Sequence, residues 1–231
     1  MTYSFRHIAH IHCDFTEKFA IPRQSGILAD NISVIEMDNA YSDPAFVRGL
    51  EGFSHLWLLW VFSANDHESH SATVRPPRLG GNARIGVFAS RSPYRPNPIG
   101  LSSVKLLEIQ IKDGKTSLIV SGADLLDQTP ILDIKPYLSY TDAHPNATGG
   151  FTDTTSFSAL SVDVPTDLLQ KIPPEKQSTL LAALREDMRP SYQSDPARVY
   201  GFSFAGFEVR FSVKDATAHV LSIEKKKESH S

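Results

Sequence analysis

The pattern of apolar and polar positions predicts a chain that is rich in β-sheet. Short apolar stretches with strand-like alternation occupy residues 5–11, 27–37 and 131–138. Residues 55–62 (HLWLLWVF) are apolar on both faces, which is typical of a central strand buried on both sides or of a strand at a dimer seam. The first half of the chain therefore predicts several strands and few helices.

A β-hairpin is predicted near the middle of the chain. Residues 104–111 and 117–123 alternate like strands, and they flank Asp113-Gly114, a dipeptide that favours a two-residue hairpin turn. The apolar alternation shifts by one position between Leu106 and Leu107, which predicts a β-bulge there.

The pattern of predicted elements changes after residues 142–150 (DAHPNATGG). This Pro, Asn and Gly cluster predicts a domain boundary. Beyond it, residues 175–188 carry their leucines on one helical face. Strands are predicted on either side of this helix, at 157–162, 199–204, 208–213 and 218–223. We therefore expect a β-rich domain over residues 1–145 and a smaller α+β domain over residues 146–231.

Composition is that of an ordinary globular protein, with 231 residues of which 41% are hydrophobic and 21% are charged. The single cysteine, Cys13, excludes an intrachain disulfide and favours a reducing compartment. No apolar run reaches the roughly 18 residues of a membrane-spanning helix, and the first residues lack the profile of a secretory signal. We expect a cytoplasmic protein with no membrane partner.

Positive charge is concentrated in residues 75–101 (RPPRLGGNARIGVFASRSPYRPNPIGL). From Ser69 to Leu107 the chain has no Asp or Glu, although its net charge is −3. The arginines of this segment are Arg75, Arg78, Arg84, Arg91 and Arg95. Surfaces usually mix the two signs, so this segregation indicates an anion-binding site. We therefore expect a nucleic acid to bind this local basic patch rather than the whole surface.

The end of the basic segment, RSPYRPNP, is unusually stiff. Proline fixes the backbone angle φ at three of its positions, Pro93, Pro96 and Pro98. Two arginines and an asparagine are therefore presented with little conformational freedom: Arg91, Arg95 and Asn97. Arginine binds phosphate with two parallel hydrogen bonds, asparagine can bond a base edge, and Tyr94 can stack on a base. A loop that is rigid for stability alone is the alternative, and it leaves these polar residues unexplained.

Several common kinds of site are absent from the sequence. There is no GxGxxG or GxxxxGK[ST] phosphate loop, and no GxSxG nucleophile motif. A strand would place His10 and His12 on one face beside Cys13, but no second pair of ligands is near them in the sequence. His67 and His70 lack the spacing of a helical HExxH motif. We predict no metal.

Three carboxylates lie close together after the hairpin: Asp124, Asp127 and Asp133. Asp124 and Asp127 can cap the turn DLLDQTP, since aspartate side chains bond the turn backbone. Alternatively, one of the three accepts hydrogen bonds from a ribose or an amine, or takes up a proton. The residues alone leave both interpretations open.

Four segments of the chain closely resemble the TsaA-like family. They are PRQ at 22–24, VRGLEGFSHLWLL at 47–59, RPPRLGGNARIGVFASRSPYRPNPIGLS at 75–102 and DLLDQTPILDIKPY at 124–137. Within the family, the chain is similar to the bacterial tRNA (adenine-N6)-methyltransferases. The resemblance implies a mainly β fold, a single-sheeted β-barrel that binds S-adenosylmethionine, with a smaller C-terminal α+β domain and a homodimeric assembly. It also implies methylation of the N6 nitrogen of threonylcarbamoyladenosine, beside the anticodon of threonine tRNA.

The resemblance also assigns residues. The cofactor contacts of the family fall on Pro22, Arg23, Gln24, Ser63, Ala64, Arg91, Leu101, Leu125, Leu126, Asp127 and Gln128. Relatives commonly have glycine at position 128 and a more polar pair at positions 63 and 64. We expect the anticodon loop of the tRNA to bind Arg75, Arg78, Arg84, Tyr94, Arg95 and Asn97. No catalytic base is evident, and Asp127 is our choice for orienting the cofactor or the amine.

Two other functions are weighed against this one. A non-enzymatic tRNA- or nucleotide-binding module would keep the same barrel without its chemistry. A metal-dependent hydrolase built on His67 and His70 has too few ligands.

Overall fold

The computed structural model describes residues 2–65, 71–76, 79, 83–155, 159–189 and 195–226. The strands of its first half are β1 Ala9–His12, β2 Ile32–Met37, β3 His55–Val61, β4 Thr73–Val74, β5 Ile85–Gly86, β6 Ile99–Lys112, β7 Lys115–Ser121 and β8 Pro130–Pro136. Further along the chain follow α1 Ser139–Asp142, β9 Ser161–Asp163, α2 Thr166–Leu169, α3 Pro174–Arg185, β10 Val199–Phe204, β11 Phe207–Lys214 and β12 Thr217–Lys225. The predicted fold class, mainly β with a barrel and a smaller α+β part, is confirmed.

Six strands form a closed antiparallel barrel in the order β1-β2-β7-β6-β3-β8, and β1 closes it by pairing with both β2 and β8. Alternate residues of each strand point into the barrel, because side chains in a strand alternate between its faces. On β3 the interior residues are Leu56, Leu58 and Trp60, all buried. The residues between them are half-buried, which explains why this strand is apolar on both faces.

The hairpin and its bulge are confirmed. Asp113 and Gly114 have φ angles of 52° and 75°, the left-handed conformation that a tight two-residue hairpin turn requires. The pairing of β6 with β7 shifts between Leu106 and Glu108, so Leu107 is the extra residue of the bulge.

The C-terminal part is a four-stranded sheet in the order β10-β11-β12-β9, in which β9 runs parallel to β12. Helix α3 contributes Leu180 and Leu184 to the core beneath this sheet. No helix in the part of the chain that the structure describes is long and apolar enough to cross a membrane.

The segment between β1 and β2 packs with the C-terminal sheet rather than inside the barrel. Phe15, Ala20 and Leu28 are buried in the same cluster as the aromatic residues of β10 and β11. Phe15 forms an isolated bridge with Phe204, and the Ala205 N–H donates to the carbonyl of Asp14 at 3.1 Å. The C-terminal sheet therefore supports the segment that carries PRQ.

Candidate active site

A cavity of about 730 Å³ lies where four segments meet. These are residues 18–25, the end of β3 with the following residues 61–65, the loop 90–97 with the start of β6, and the turn 124–129. Each segment carries part of a motif quoted above, although the four are far apart in the sequence. The fold therefore brings the motifs to one place.

Most of the predicted cofactor positions line this cavity. The lining ones are Pro22, Arg23, Gln24, Ser63, Ala64, Arg91, Leu101 and Leu126. Of the predicted tRNA-binding residues, Arg95 and Asn97 also contribute to the wall. Leu125, Asp127 and Gln128 are not among its lining residues, and the Leu125 side chain belongs to the barrel core.

The PRQ segment folds directly onto the basic loop. The Arg91 guanidinium donates a hydrogen bond to Gln24 Oε1, and Gln24 Nε2 donates to the carbonyl of Arg23 at 2.5 Å. The Arg23 side chain also reaches the C-terminal part, where it donates to the carbonyls of Asp187 at 2.8 Å and Arg189 at 3.3 Å. Arg23 therefore joins one wall of the cavity to the C-terminal part, a role that the sequence did not reveal.

Another wall is held by Lys18, which the sequence pattern did not single out. Its ammonium group donates to the carbonyl of Ala64 and to Asn65 Oδ1, the latter at 3.0 Å. These contacts fix the residues after β3 against the segment before PRQ. Lys18 carries no local sequence signal, because its partners lie more than 40 residues away.

The basic loop bonds its own backbone. Arg95 donates to the carbonyl of Ser90 at 3.1 Å, and the N–H of Tyr94 donates to Ser92 Oγ at 3.2 Å. The Tyr94 side chain remains 51% exposed, and Asn97 is exposed as well. The loop therefore presents a free aromatic face and an amide beside the cavity.

The other predicted tRNA-binding arginines lie outside the cavity wall. Arg75 and Arg84 are exposed next to the β4–β5 ribbon, and Arg84 donates to Thr73 Oγ1 at 3.0 Å. Arg78 falls outside the described residues, as do His67 and His70.

Of the three clustered carboxylates, the one that lines the cavity is Asp124. The Ser102 hydroxyl donates to Asp124 Oδ1 at 2.5 Å, and the Trp60 indole N–H donates to Ser102 Oγ at 2.9 Å. Burial raises the pKa of the Asp124 carboxyl, and the hydrogen bond from Ser102 and the charge of Arg91 oppose this shift without cancelling it. Asp124 is therefore a carboxylate with increased proton affinity beside an open cavity.

Asp127, our choice from the sequence, lies elsewhere. Its Oδ1 accepts a hydrogen bond from the Cys13 backbone N–H at 3.0 Å, so it ties the turn to the end of β1. Gln128 does the same through a 2.9 Å contact between its Nε2 and His12 Nδ1. The φ angle of Gln128 is 64°, in the left-handed region that glycine adopts most easily. The glycine that the family resemblance implies for relatives at this position would adopt this turn without strain.

Histidines near β1 meet the carboxylate of Glu36 on β2 and that of Asp38, which follows β2. His7 Nδ1 and His10 Nδ1 lie 2.5 and 3.2 Å from the two carboxylate oxygens of Asp38, and His12 Nε2 lies 3.2 Å from Glu36. One potential ligand atom each from His7, His10 and Asp38 lies within 4.8 Å of the others. These contacts also satisfy the side chains as hydrogen bonds, and the absence of a metal stays a prediction.

Comparison with known proteins gives matches over most of the chain. The family model described as tRNA-methyltransferase O N-terminal domain matches residues 10–143, and the one described as TrmO C-terminal domain matches residues 158–226. The tRNA (adenine(37)-N6)-methyltransferase of Escherichia coli K12 is 37% identical over 231 residues, which cover 96% of this chain and 98% of the relative. The protein of the same name from Eikenella corrodens is 40% identical over 178 residues, which cover 74% of this chain and 97% of the relative.

Solved structures match the same extent of chain. A crystal structure of TrmO from Pseudomonas aeruginosa has a TM-score of 0.76 at 30% identity, covering 96% of this chain and 99% of that one. A further crystal structure of TrmO has a TM-score of 0.79 at 31% identity, covering 97% of this chain and 100% of that one. The similarity therefore includes both the barrel and the C-terminal sheet.

Proposed function

Because the chain belongs to the TrmO family of tRNA methyltransferases, we propose that it methylates the N6 nitrogen of the adenosine beside the anticodon of a tRNA. S-adenosylmethionine is the methyl donor. The observation that carries the proposal is the cavity of about 730 Å³, at which the PRQ segment, the basic loop and Asp124 converge.

The residues around this cavity fit S-adenosylmethionine. The volume is in the range of about 300–1,000 Å³ that is usual for small-molecule sites. S-adenosylmethionine has a carboxylate that needs a cation, hydroxyl and amino groups that need acceptors, and an adenine ring that needs an apolar surface. Arg91, the Ser63 hydroxyl and the apolar pair Leu101 and Leu126 offer these three kinds of contact.

When bound, S-adenosylmethionine supplies a methyl group that is already activated by its attachment to a positively charged sulfur. The protein therefore has to position the two reactants and exclude water rather than generate a strong electrophile. Gln24 and Arg91 support this role, since their hydrogen bond holds PRQ against the basic loop. Lys18 acts in the same way on residues 63–65.

The tRNA binds the exposed side of the basic loop. Tyr94 is available to stack on an unpaired base of the anticodon loop, a contact worth about 1–3 kcal/mol. Arg95 and Asn97 belong to the same loop and line the cavity, where they can contact phosphate and base. Arg75 and Arg84 add positive charge at the neighbouring ribbon.

The substrate nucleoside is threonylcarbamoyladenosine of threonine tRNA, as the family resemblance implies. The compartment is the cytoplasm, in which bacterial tRNA is modified. Neither point depends on the geometry of the cavity: the nucleoside product tests the substrate, and cell fractionation tests the compartment.

A homodimer completes the site. Two apolar side chains of β6 are exposed at the cavity, Ile99 at 39% and Leu101 at 55%. Apolar groups exposed beside a binding site favour cover by a second protein surface. A second copy of the chain is the partner that the family resemblance implies, and sedimentation of the purified protein measures it directly.

The decisive experiment is methyl transfer in vitro, followed by mass spectrometry of the nucleosides. Purified protein, S-adenosylmethionine and threonine tRNA isolated from a strain lacking the gene are expected to yield a nucleoside heavier by one methyl group. The same tRNA without threonylcarbamoylation is the matched control, and it is expected to give far less product.

The binding-module alternative predicts a different result from the same samples. In that case tRNA binds and no methylated nucleoside forms, whatever the concentration of S-adenosylmethionine. Persistence of the methylated nucleoside at wild-type level in a deletion strain without a redundant enzyme would also contradict the proposed function.

A further inference from the structure

We propose that Asp124 is the catalytic base, the group that takes the proton from the target nitrogen as this nitrogen is methylated. The inference rests on the proposed function and adds a residue to it. It replaces our choice of Asp127 from the sequence, since Asp127 bonds the end of β1 and is not among the residues that line the cavity.

Methylation of a nitrogen that bears hydrogen releases a proton. A bond forms between this nitrogen and the methyl carbon, and the bond between methyl carbon and sulfur breaks. Its electron pair stays on the sulfur, which becomes a neutral thioether. The nitrogen loses its hydrogen as a proton, which a carboxylate oxygen of Asp124 accepts and later passes to solvent. A positioned base typically contributes about 10²–10⁴-fold to such a step.

The ionisable groups at the cavity leave one suitable acceptor. Among the described residues that line it, the ionisable ones are Lys18, Arg23, Arg91, Arg95 and Asp124. An arginine does not lose its proton in a protein, and Lys18 donates to Ala64 and Asn65. Asp124 is the acidic residue among these described lining residues, so it is the one that can accept the proton.

The orientation of the carboxylate is set by a directional chain of hydrogen bonds. An indole N–H can only donate, so Ser102 must accept from Trp60 and use its own hydrogen for Asp124. The backbone of Ser25 and of Asp124 itself also favours the ionised form of the carboxylate. The hydrogen bond from Ser102 is donated to Asp124, so the side chain is held as an acceptor.

The close fit around Trp60 keeps this chain in place. A Cβ atom on Gly100 would lie 2.2 Å from the indole ring, so only glycine fits there. Gly100 and Ser102 are on the same strand, two residues apart, and they face the same side of it. Ser102 and Trp60 are therefore positioning residues that act through Asp124.

The charged neighbour of Asp124 is Arg91, and burial is the opposing influence. Burial increases the affinity of the carboxylate for a proton, whereas Arg91 favours its ionised form. Because the base acts only when ionised, the methylation rate should rise with pH through the raised pKa of Asp124 and then level off.

The test compares Asp124→Asn and Asp124→Glu with Asp133→Asn, a matched control whose side chain is 44% exposed and paired with Lys135. Single-turnover methylation is measured at saturating S-adenosylmethionine and tRNA. Binding of S-adenosylhomocysteine is measured by calorimetry, as a readout that does not depend on activity.

We expect Asp124→Asn to slow methylation by about 100-fold or more while S-adenosylhomocysteine binding changes less than about threefold. Asp124→Glu should restore part of the rate and shift its pH profile, and Asp133→Asn should match the wild type. The inference is overturned if Asp124→Asn keeps the wild-type rate, or if it weakens S-adenosylhomocysteine binding and regains the full rate at saturation. A wild-type protein that forms no product overturns the proposed function itself.

Discussion

The Arg23 guanidinium donates to the main-chain carbonyl of Asp187 at 2.8 Å, which joins residues 164 positions apart in the sequence. The same side chain reaches the carbonyl of Arg189. Arg23 lies in the wall of the cavity, whereas its two partners follow helix α3. Besides the packing of Phe15, Ala20 and Leu28, the Arg23 side chain therefore attaches the cavity wall to the C-terminal part by hydrogen bonds.

Removal of this side chain should destabilise the protein as well as the site. We expect Arg23→Ala to lower the free energy of unfolding by about 1–3 kcal/mol, since hydrogen bonds from a charged group to two carbonyls are lost. Urea denaturation measures the change. Arg48→Ala, at an exposed arginine, is the control and should stay within about 0.5 kcal/mol. An equally stable Arg23→Ala protein would show that the contact is dispensable.

Asp127 should matter for stability more than for catalysis. Asp127→Ala removes the acceptor for the part-buried N–H of Cys13, the residue after β1, and we expect a loss of about 1–3 kcal/mol in the free energy of unfolding. Asp127→Asn keeps an acceptor oxygen and should cost less. A severe loss of methylation by a stable Asp127→Asn protein would instead support the role that the sequence suggested.

The raised pKa of Asp124 makes a prediction about stability and pH. A group whose pKa is raised on folding contributes stability that is fully present below its unfolded-state pKa and is lost as pH rises through the folded-state value. Asp124→Asn removes the ionisation, so its melting temperature should exceed that of the wild type at pH 8 and converge with it near pH 4. Thermal denaturation across this range tests the sign. A variant less stable than the wild type at pH 8 would contradict it.

Cys13 should be nearly inert in the folded protein. Burial raises the pKa of its thiol to about 12, and the sulfur donates to the carbonyl of Leu125 at 3.3 Å. Because the thiolate is the reactive form, alkylation by iodoacetamide at pH 8 should be about 100-fold or more slower than in urea. Cys13 is the single cysteine, so mass spectrometry of the intact chain reports its modification directly. Equal rates in both conditions would mean that the thiol is accessible.

Arg95 should contribute to the salt dependence of tRNA binding. We expect Arg95→Ala to weaken binding and to reduce the slope of log affinity against log salt concentration by about 1, as for the loss of one phosphate contact. Arg95→Lys keeps the charge and should keep most of the slope. Filter binding at several salt concentrations measures both. An unchanged slope for Arg95→Ala would place the phosphate contacts on other arginines.

The parts of the fold that depend on local chemistry could be predicted from the sequence. Asp113-Gly114 specified its hairpin because few other residues adopt two successive left-handed conformations. The bulge at Leu107 was visible because one extra residue reverses the alternation of apolar side chains.

The site could be predicted only in part, since its geometry depends on contacts between distant segments. The basic loop was recognisable from its charge and its prolines. The contacts of Lys18 and Arg23 could not be predicted, because they join segments that are far apart in the sequence. The two aspartates of DLLDQTP look alike in sequence. The turn directs Asp124 to the cavity and Asp127 to β1, and Gln128, with its φ of 64°, belongs to this turn.

The burial of Phe15, Ala20 and Leu28 with the C-terminal sheet has a consequence for the evolution of the chain. These residues precede or follow PRQ, so the sheet supports one cavity wall although none of its described residues lines the cavity. Substitutions under β10 and β11 should therefore affect the cavity as well as folding. A substitution there can leave every lining residue unchanged and still lower the rate of methylation, because it can separate Gln24 from Arg91.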